Sequence, residues 1–182
     1  MPVRLEDKTI VPICEPERWI GHGDSGDVGG WPFAYLPPID PWARQNVPYA
    51  LVGFDIRSGS LVDGVTPLYR ELKDDGNVGE VVAGYPCGGW GGHQVHVEDS
   101  GFVVVGLTLL QAQYTDQMKV VRQLWSAQGL FGSVVTSLPL GGSGGYHAYI
   151  NAPPGHCAIG IYGKSGSLLD RISIVTARPV IF

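Results

Sequence analysis

Residues 79–92 read GEVVAGYPCGGWGG, and residues 132–145 read GSVVTSLPLGGSGG. At a fixed offset of 53 residues, these two stretches agree at eight of their fourteen positions. The stretch GDVGGW at residues 26–31 is a degenerate first copy. Each copy ends in a Gly-Gly pair, and the ring residue that follows is, in chain order, Trp31, His93 or Tyr146. A motif that recurs at such a spacing indicates a repeated structural unit.

A second block recurs with the same period. Its copies are ALVGFDIRSGSLVD at residues 50–63, VVVGLTLLQAQYTD at residues 103–116 and CAIGIYGKSGSLLD at residues 157–170. All three copies share a glycine at the fourth position and an aspartate at the fourteenth, which is Asp63, Asp116 or Asp170. The coincidence of two separate motifs in three copies is improbable by chance, so we predict three similar units of about 53 residues.

Each second block opens with an apolar stretch typical of a β-strand. These stretches are Tyr49–Ile56, Phe102–Leu110 and Cys157–Tyr162. A second strand is predicted after each aspartate, at Val65–Leu72, Met118–Trp125 and Ile172–Ala177. Taken alone, residues 115–128 favour a helix, because Met, Lys, Gln and Leu are good helix formers. The register of the repeat overrides that preference, and the sequence predicts an all-β fold with threefold symmetry.

The chain of 182 residues fits one domain. We expect residues 1–22 to form an N-terminal extension and residues 23–182 to form the repeated domain. The proline-rich segment at residues 32–48 has no counterpart in the later units, so it is interpreted as an inserted loop.

The composition excludes several classes of partner. The formal net charge is -5, and the lysines and arginines are scattered, whereas binding to nucleic acid or to an anionic membrane requires a basic cluster. No apolar run is long enough to span a bilayer. The N-terminus lacks the apolar segment of a secretory signal, so we expect a cytoplasmic protein, or one released without such a signal.

Cysteines and histidines give little sign of redox or metal chemistry. Cys14, Cys87 and Cys157 are odd in number and lack metal-like spacing, which favours free thiols; a single disulfide with one leftover thiol is the alternative. The pair His93-x-x-His96 is not on a predicted helix and lacks the glutamate of a zinc protease motif. The sequence therefore predicts no metal site, no cofactor and no catalytic residue.

The two recurring loops have the chemistry of a site for a neutral sugar. A carboxylate can accept hydrogen bonds from two sugar hydroxyls, and backbone N–H groups can donate to sugar oxygens. Glycine lets the backbone approach a ligand because no Cβ intervenes. The same features also occur in purely structural turns, so symmetry alone does not decide between the two interpretations.

The amino-acid sequence of the motifs favours the sugar-binding interpretation. The stretch GKSGSLLDRI at residues 163–172 resembles the C-terminal sugar-binding loop of the jacalin-related lectins, whose signature is Gly-x-x-x-Asp. The stretch GGSGG at residues 141–145 resembles the glycine-rich loop of that family. The resemblance covers about residues 23–177. It implies a β-prism of three four-stranded Greek-key sheets with pseudo-threefold symmetry, with the sugar sites at one end.

The resemblance also implies which residues form each site, because the first glycine-rich loop of that family pairs with the last aspartate loop. Site 1 then consists of Gly30, Ser167, Leu168 and Asp170. Site 2 consists of Gly92, Ser60, Leu61 and Asp63. Site 3 consists of Gly145, Gln113, Tyr114 and Asp116, and it departs from the pattern because Ala112 replaces the leading glycine.

The resemblance implies a lectin that binds glycans and glycoproteins of the mannose or glucose type, since the first Gly-Gly pair lies inside a continuous chain and not at a cleaved N-terminus. Several sites per chain, or a homo-oligomer, would provide avidity. Two alternatives stay open at this point. One is a β-prism that mediates protein interactions without sugar binding. The other is an enzyme acting on glycans, which would require two acids at one site.

Overall fold

The computed structural model describes residues 3–13, 30–35, 37 and 47–182. Within these ranges the regular structure consists of fourteen β-strands. The strands are β1 (Val3–Ile10), β2 (Trp31–Tyr35), β3 (Tyr49–Ser58), β4 (Val62–Glu71), β5 (Val82–Ala83), β6 (Cys87–Gly88), β7 (His93–Glu98), β8 (Phe102–Gln111), β9 (Thr115–Ser126), β10 (Gly129–Thr136), β11 (Leu140–Gly141), β12 (Tyr146–Asn151), β13 (Cys157–Ser165) and β14 (Leu169–Ile181). No helix in the described ranges is long and apolar enough to cross a membrane.

The described strands form three antiparallel sheets of equivalent design. The order is β1-β14-β13-β2 in the first sheet, β4-β3-β7 flanked by β5 and β6 in the second, and β9-β8-β12 flanked by β10 and β11 in the third. Strands β5 and β6 both pair with β4, and strands β10 and β11 both pair with β9, so each sheet has four strand positions. The fourth strand returns beside the first, which is the Greek-key order. The all-β prediction of three four-stranded sheets is confirmed.

The centre of each sheet is a hairpin made from the second repeated block: β3–β4, β8–β9 and β13–β14. The predicted strands are confirmed, but they are longer than the sequence indicated. Each aspartate is the second residue of its strand and does not precede the strand. Residues 115–126 form a strand, because Met118, Val120 and Arg122 alternate inward and are buried against the rest of the sheet.

The glycine shared by the three hairpins has a structural role. A β-bulge lies just before it in every copy, between Leu51 and Gly53 in the first of them. A Cβ at Gly53 would overlap the carbonyl oxygen of Val97 on the neighbouring strand. This half of the repeated motif therefore reflects strand packing and carries no information about a ligand.

The N-terminal residues contribute to the first sheet. Strand β1 pairs with β14, with Val3 opposite Ile181, so the expected extension at residues 1–22 contains an outer strand of the first sheet. Strand β2 lies at the start of the expected inserted loop at residues 32–48 and pairs with β13. Both outer strands of the first sheet therefore come from the N-terminal region, whereas its central hairpin lies near the C-terminal end of the chain. The remainder of the inserted loop, residue 37 and residues 47 and 48 apart, lies outside the described residues.

The main hydrophobic core lies between the three sheets and receives residues from all of them, including Phe54, Leu107 and Ile174. A second cluster contains Trp125, whose Nε1 donates to the carbonyl oxygen of Lys73 at 3.0 Å. Burial of such side chains stabilises the fold by about 1.5–3 kcal/mol each before the entropy of ordering is subtracted.

Two described cysteines belong to the buried set. Cys87 and Cys157 are free thiols, and burial raises the pKa of each to about 12. They therefore remain protonated and unreactive at neutral pH. Because Cys87 and Cys157 are both free, they do not form the disulfide that was the alternative, and Cys14 lies outside the described residues.

Candidate carbohydrate-binding site

The turns that precede the three aspartates, here called the Asp loops, have one geometry. In each loop the first backbone N–H donates to the carbonyl of the third residue at 3.0 Å: Gly59 to Leu61, Ala112 to Tyr114 and Gly166 to Leu168. A Cβ at Gly59 would meet no atom within 4 Å. Ala112 therefore fits the position of the leading glycine without altering the turn. The departure from the sequence pattern in the third Asp loop leaves its backbone intact.

In each sheet, a glycine at the end of the glycine-rich stretch lies against the aspartate that follows the Asp loop. A Cβ at Gly30 would overlap the carboxylate oxygen Oδ2 of Asp170. A Cβ at Gly92 would lie 2.9 Å from Oδ2 of Asp63. The structure therefore brings together the glycine and the aspartate of site 1 and those of site 2. Since both glycines have positive φ, of 88° and 67°, these positions require glycine on conformational grounds as well.

Site 3 shares one contact with site 2. A Cβ at Gly144 would lie 3.0 Å from Oδ1 of Asp116, and a Cβ at the equivalent Gly91 would lie 2.5 Å from Oδ1 of Asp63. The two sites differ at the next glycine, because the atoms nearest to Gly145 belong to the backbone of Gln111, at the end of β8.

The three sites lie at one end of the molecule and contact one another. A Cβ at Gly89, in the glycine-rich stretch of site 2, would overlap the carbonyl oxygen of Ser167 in site 1. Gly142, in the stretch of site 3, has the same relationship to Ser60 in site 2. The remaining gap, between sites 1 and 3, is bridged by Arg171. These contacts place the sites in a ring.

Arg171 and Thr115 form that bridge. The Nη1 group of Arg171 donates to the carbonyl oxygens of Asp170 at 2.8 Å and Gln113 at 3.3 Å. The hydroxyl of Thr115 donates to the carbonyl of Asp170 at 3.3 Å. Both side chains are buried. Neither residue is predicted from the sequence, because their equivalents in the other units differ and no repeat pattern marks them.

The aspartates of sites 1 and 3 lie in poorly solvated surroundings. The Asp170 residue is only 3% exposed, and this burial raises the pKa of its carboxyl, against the opposing effects of Arg171 and Lys164. Burial also raises the pKa of Asp116, against a hydrogen bond from the Ala112 backbone and the charge of Arg171. Among the described residues, the Oδ2 atom of Asp116 has no hydrogen-bond donor. Such a carboxylate gains more from a new donor than a solvated one does.

Backbone donors accompany these acceptors. Within the described part of the chain, the N–H groups of Ser167 and Leu168 in site 1 make no hydrogen bond, and neither do those of Ser60 and Leu61 in site 2. Each of these sites thus combines a carboxylate acceptor with two adjacent N–H donors beside a glycine that leaves space. This combination can hold a polyol, whose hydroxyls both donate and accept. No cluster of three potential metal ligands occurs among the described residues.

Site 2 has a support that the sequence analysis missed. Arg57, near the end of β3, donates through Nε to the carbonyls of Trp90 at 3.0 Å and Gly91 at 3.1 Å. Its Nη2 group donates to the carbonyl of Gly92 at 3.2 Å. The side chain therefore fixes three successive carbonyls of the glycine-rich stretch. The equivalent residues of the other units are Leu110 and Lys164, so only position in the repeat could have drawn attention to this arginine.

The overall arrangement is similar to that of solved lectins. A Malaysian banana lectin superposes with a TM-score of 0.63 at 15% identity, over 96% of this chain and 100% of that one. A mannose-binding jacalin-related lectin from Ananas comosus gives a TM-score of 0.55 at 20% identity, over 83% and 94% of the two chains. Artocarpin, solved in complex with mannopentose, gives 0.56 at 12% identity, over 84% and 91%.

The protein has the jacalin-type β-prism fold. No protein-family model matches the sequence, and a search of curated proteins finds no match. The β-prism is therefore recognised from the strand order and the three-dimensional superposition. Each Asp loop is the turn of a central hairpin, and the three hairpins of this β-prism have their turns at the same end.

Proposed function

We propose that this β-prism is a non-catalytic carbohydrate-binding protein that binds mannose- or glucose-type glycans at up to three sites. The observation that carries the proposal is the contact between each aspartate carboxylate and the glycine-rich stretch of its own sheet. In a purely structural turn, a carboxylate of this kind would be satisfied by neighbouring backbone N–H groups. Here the donors beside it in sites 1 and 2 are themselves unpaired in the described structure.

The solved neighbours support the choice of ligand class. One of them is described as mannose-binding and another was solved with mannopentose. At identities of 20% and 12%, the similarity to these lectins shows a shared fold but does not show shared contacts with the sugar. The sugar type proposed for this chain therefore depends on its own first Gly-Gly pair, which lies inside a continuous chain.

In site 1, Asp170 accepts hydrogen bonds from two vicinal sugar hydroxyls. The N–H groups of Ser167 and Leu168 donate to the ring oxygen and to the primary hydroxyl. Gly30 leaves space for the sugar ring against the carboxylate. Site 2 uses Asp63 with the N–H groups of Ser60 and Leu61 in the same way, and site 3 uses Asp116 with those of Gln113 and Tyr114.

The expected affinity is modest. Hydrogen bonds to a charged group contribute about 1.5–3 kcal/mol each and neutral ones about 0.5–1.5 kcal/mol, and immobilisation of the sugar offsets much of this. A single sugar should therefore bind with a Kd near 1 mM, or about -4 kcal/mol. Binding to glycan surfaces then depends on several sites acting together, within one chain or across an oligomer.

A glycan array followed by calorimetry tests the proposal. We expect signals for mannosides and glucosides and a stoichiometry above one sugar per chain. A folded protein that binds no glycan on the array would refute the proposal and favour a protein-interaction module. Release of free sugar from a glycoside would refute the non-catalytic part and favour an enzyme.

A further inference from the structure

A shallow cleft lies on the outer face of the second sheet, next to site 2. Its lining includes the side chains of Trp90, Gln94, Thr66, Asp55 and Arg57, together with the backbone at Gly64. The glycine-rich stretch of site 2 separates the cleft from the carboxylate of Asp63. The cleft does not include any residue assigned to the three sites.

The cleft follows from the amino acids of this unit. Gly64, Arg57 and Gln94 lie opposite one another in register across β4, β3 and β7. The residues equivalent to Gly64 in the other two units are Gln117 and Arg171, whose long side chains extend over the glycine-rich stretch or the neighbouring loop. Because Gly64 has no side chain, the glycine-rich stretch of the second unit packs directly on it, and a Cβ there would lie 2.5 Å from the carbonyl oxygen of Gly89.

The lining has the chemistry that recognises a saccharide. The Trp90 residue is 74% exposed at the rim of the cleft, and an indole face stacks against the C–H groups of a sugar ring. The Thr66 hydroxyl and the Gln94 amide can each donate and accept hydrogen bonds.

The backbone at Trp90 is held in place by a hydrogen bond. The Trp90 carbonyl accepts a hydrogen bond from Arg57 at 3.0 Å, which restrains the segment before any ligand arrives. The next residue, Gly91, contacts the other site: its Cβ would lie 2.5 Å from Oδ1 of Asp63. The cleft and the carboxylate are thus separated by the width of a single loop.

We propose that this cleft is an extension subsite for the second saccharide residue of a glycan whose terminal residue is bound at Asp63. The inference rests on the proposed function of site 2. The subsite stacks the second ring on Trp90 and bonds its hydroxyls through Thr66 and Gln94. Because the cleft is shallow, it contacts one face of the sugar, and the gain in affinity over a monosaccharide should be about five- to tenfold.

The test follows the backbone amide signals of Gly91 and Gly92 by NMR, since both glycines lie against the carboxylate of Asp63 in site 2. Methyl α-mannoside and an α-linked mannobiose are titrated into the parent chain, Trp90→Ala, Thr66→Val and Asp63→Ala. Trp31→Ala is the matched control, because Trp31 is also highly exposed, at 81%, but lies beside site 1.

We expect the parent and the Trp31→Ala control to bind mannobiose at site 2 about five- to tenfold more tightly than the monosaccharide. Trp90→Ala should remove this preference without changing the affinity for the monosaccharide, and Thr66→Val should reduce it. An undiminished preference in Trp90→Ala would overturn the subsite while leaving site 2 intact. If neither sugar shifts the two glycine signals in the parent chain, site 2 itself fails and the subsite fails with it.

Discussion

Gly30 lies directly against Asp170, so a Cβ on the glycine would overlap the carboxylate oxygen and would also lie 2.8 Å from the carbonyl carbon of Ser165. The two residues are 140 positions apart in the chain, and the antiparallel pairing of β2 with β13 brings them together. This contact joins the N-terminal and C-terminal parts of the β-prism at the proposed sugar site.

Substitution of Gly30 by alanine should therefore disable site 1. The new methyl group would displace the glycine-rich stretch from Asp170, and the φ of 88° costs a non-glycine residue about 1–3 kcal/mol. We expect at least a tenfold loss of mannoside affinity at site 1, measured by the NMR shift of the Leu168 amide. Gly59→Ala is the control, because a Cβ there meets nothing within 4 Å and Ala112 naturally occupies the equivalent position. Unchanged sugar binding in Gly30→Ala would contradict the proposed placement of the ligand.

The carboxylate itself can be tested with Asp170→Asn. The amide keeps the size of the side chain but loses the charge that two sugar hydroxyls are proposed to use, which should weaken site 1 by about 1.5–3 kcal/mol. Because burial raises the pKa of Asp170, removal of the charge should leave the free energy of unfolding equal or slightly higher. Calorimetry should show one site fewer, and denaturant unfolding should show an intact fold. A large loss of stability would instead assign Asp170 a structural role.

The same pKa shift predicts how pH affects binding and stability in opposite directions. Folding raises the pKa of Asp170 above its ordinary value, so the native state holds this proton over a window where the unfolded chain has lost it. The contribution of this group to stability is therefore lost as pH rises through the raised pKa. Sugar binding requires the ionised carboxylate, so affinity at site 1 should fall as pH drops through the same window.

Mannoside titrations at site 1 between about pH 4 and pH 7 would check this prediction, with Asp170→Asn as the reference. The parent should lose affinity toward the acidic end, at a higher pH than an unperturbed aspartate would. The variant should bind weakly and without that pH dependence. An equal pH profile in both proteins would show that another group controls binding.

The threefold all-β architecture could be predicted from the sequence because two motifs recur in register. Such a repeat can arise from strand packing alone. The shared glycine at Gly53 reflects a β-bulge, so part of the motif that suggested loops in fact encodes a sheet. The first sheet was harder to predict, since its outer strands β1 and β2 come from a region with little similarity to the other units. Propensity and pattern do not show which distant segments will pair.

The supporting residues of the sites could not be predicted for a related reason. Arg57 holds the glycine-rich stretch of site 2, and Arg171 bridges sites 1 and 3, but neither residue is repeated in the other units. Ala112 forms the same turn as the glycines at the equivalent positions, so this departure from the motif does not distinguish the third Asp loop in its backbone. Departures from symmetry become interpretable only when the contacts across sheets are known.

Gln111 is a departure from symmetry whose replacement should raise the stability of the fold. Gln111 is completely buried, and both polar atoms of its amide lack hydrogen-bond partners among the described residues. The equivalent residues in the other units are the smaller Ser58 and Ser165. Gln111→Met keeps the volume and removes the unsatisfied amide, so the free energy of unfolding should rise by about 1–3 kcal/mol. Urea unfolding would measure the free energy of unfolding, with the exposed Gln113→Met as a control that should change it little. A loss of stability in Gln111→Met would show that the amide of Gln111 is hydrogen-bonded.

Substitution of Arg57 tests whether sugar binding at site 2 requires a glycine-rich stretch that is already ordered before the sugar binds. In Arg57→Ala, the carbonyls of Trp90, Gly91 and Gly92 lose a donor at 3.0–3.2 Å, so this stretch should sample more conformations. Amide hydrogen exchange at Gly91 and Gly92 should become faster, and monosaccharide affinity at site 2 should fall about three- to tenfold because ordering now accompanies binding. Arg57→Lys should restore part of the effect, since an ammonium can reach one carbonyl but lacks the planar set of donors. Site 1 should be unaffected in both variants. Faster exchange with unchanged affinity would mean that the stretch contributes space for the sugar but no preorganised contact.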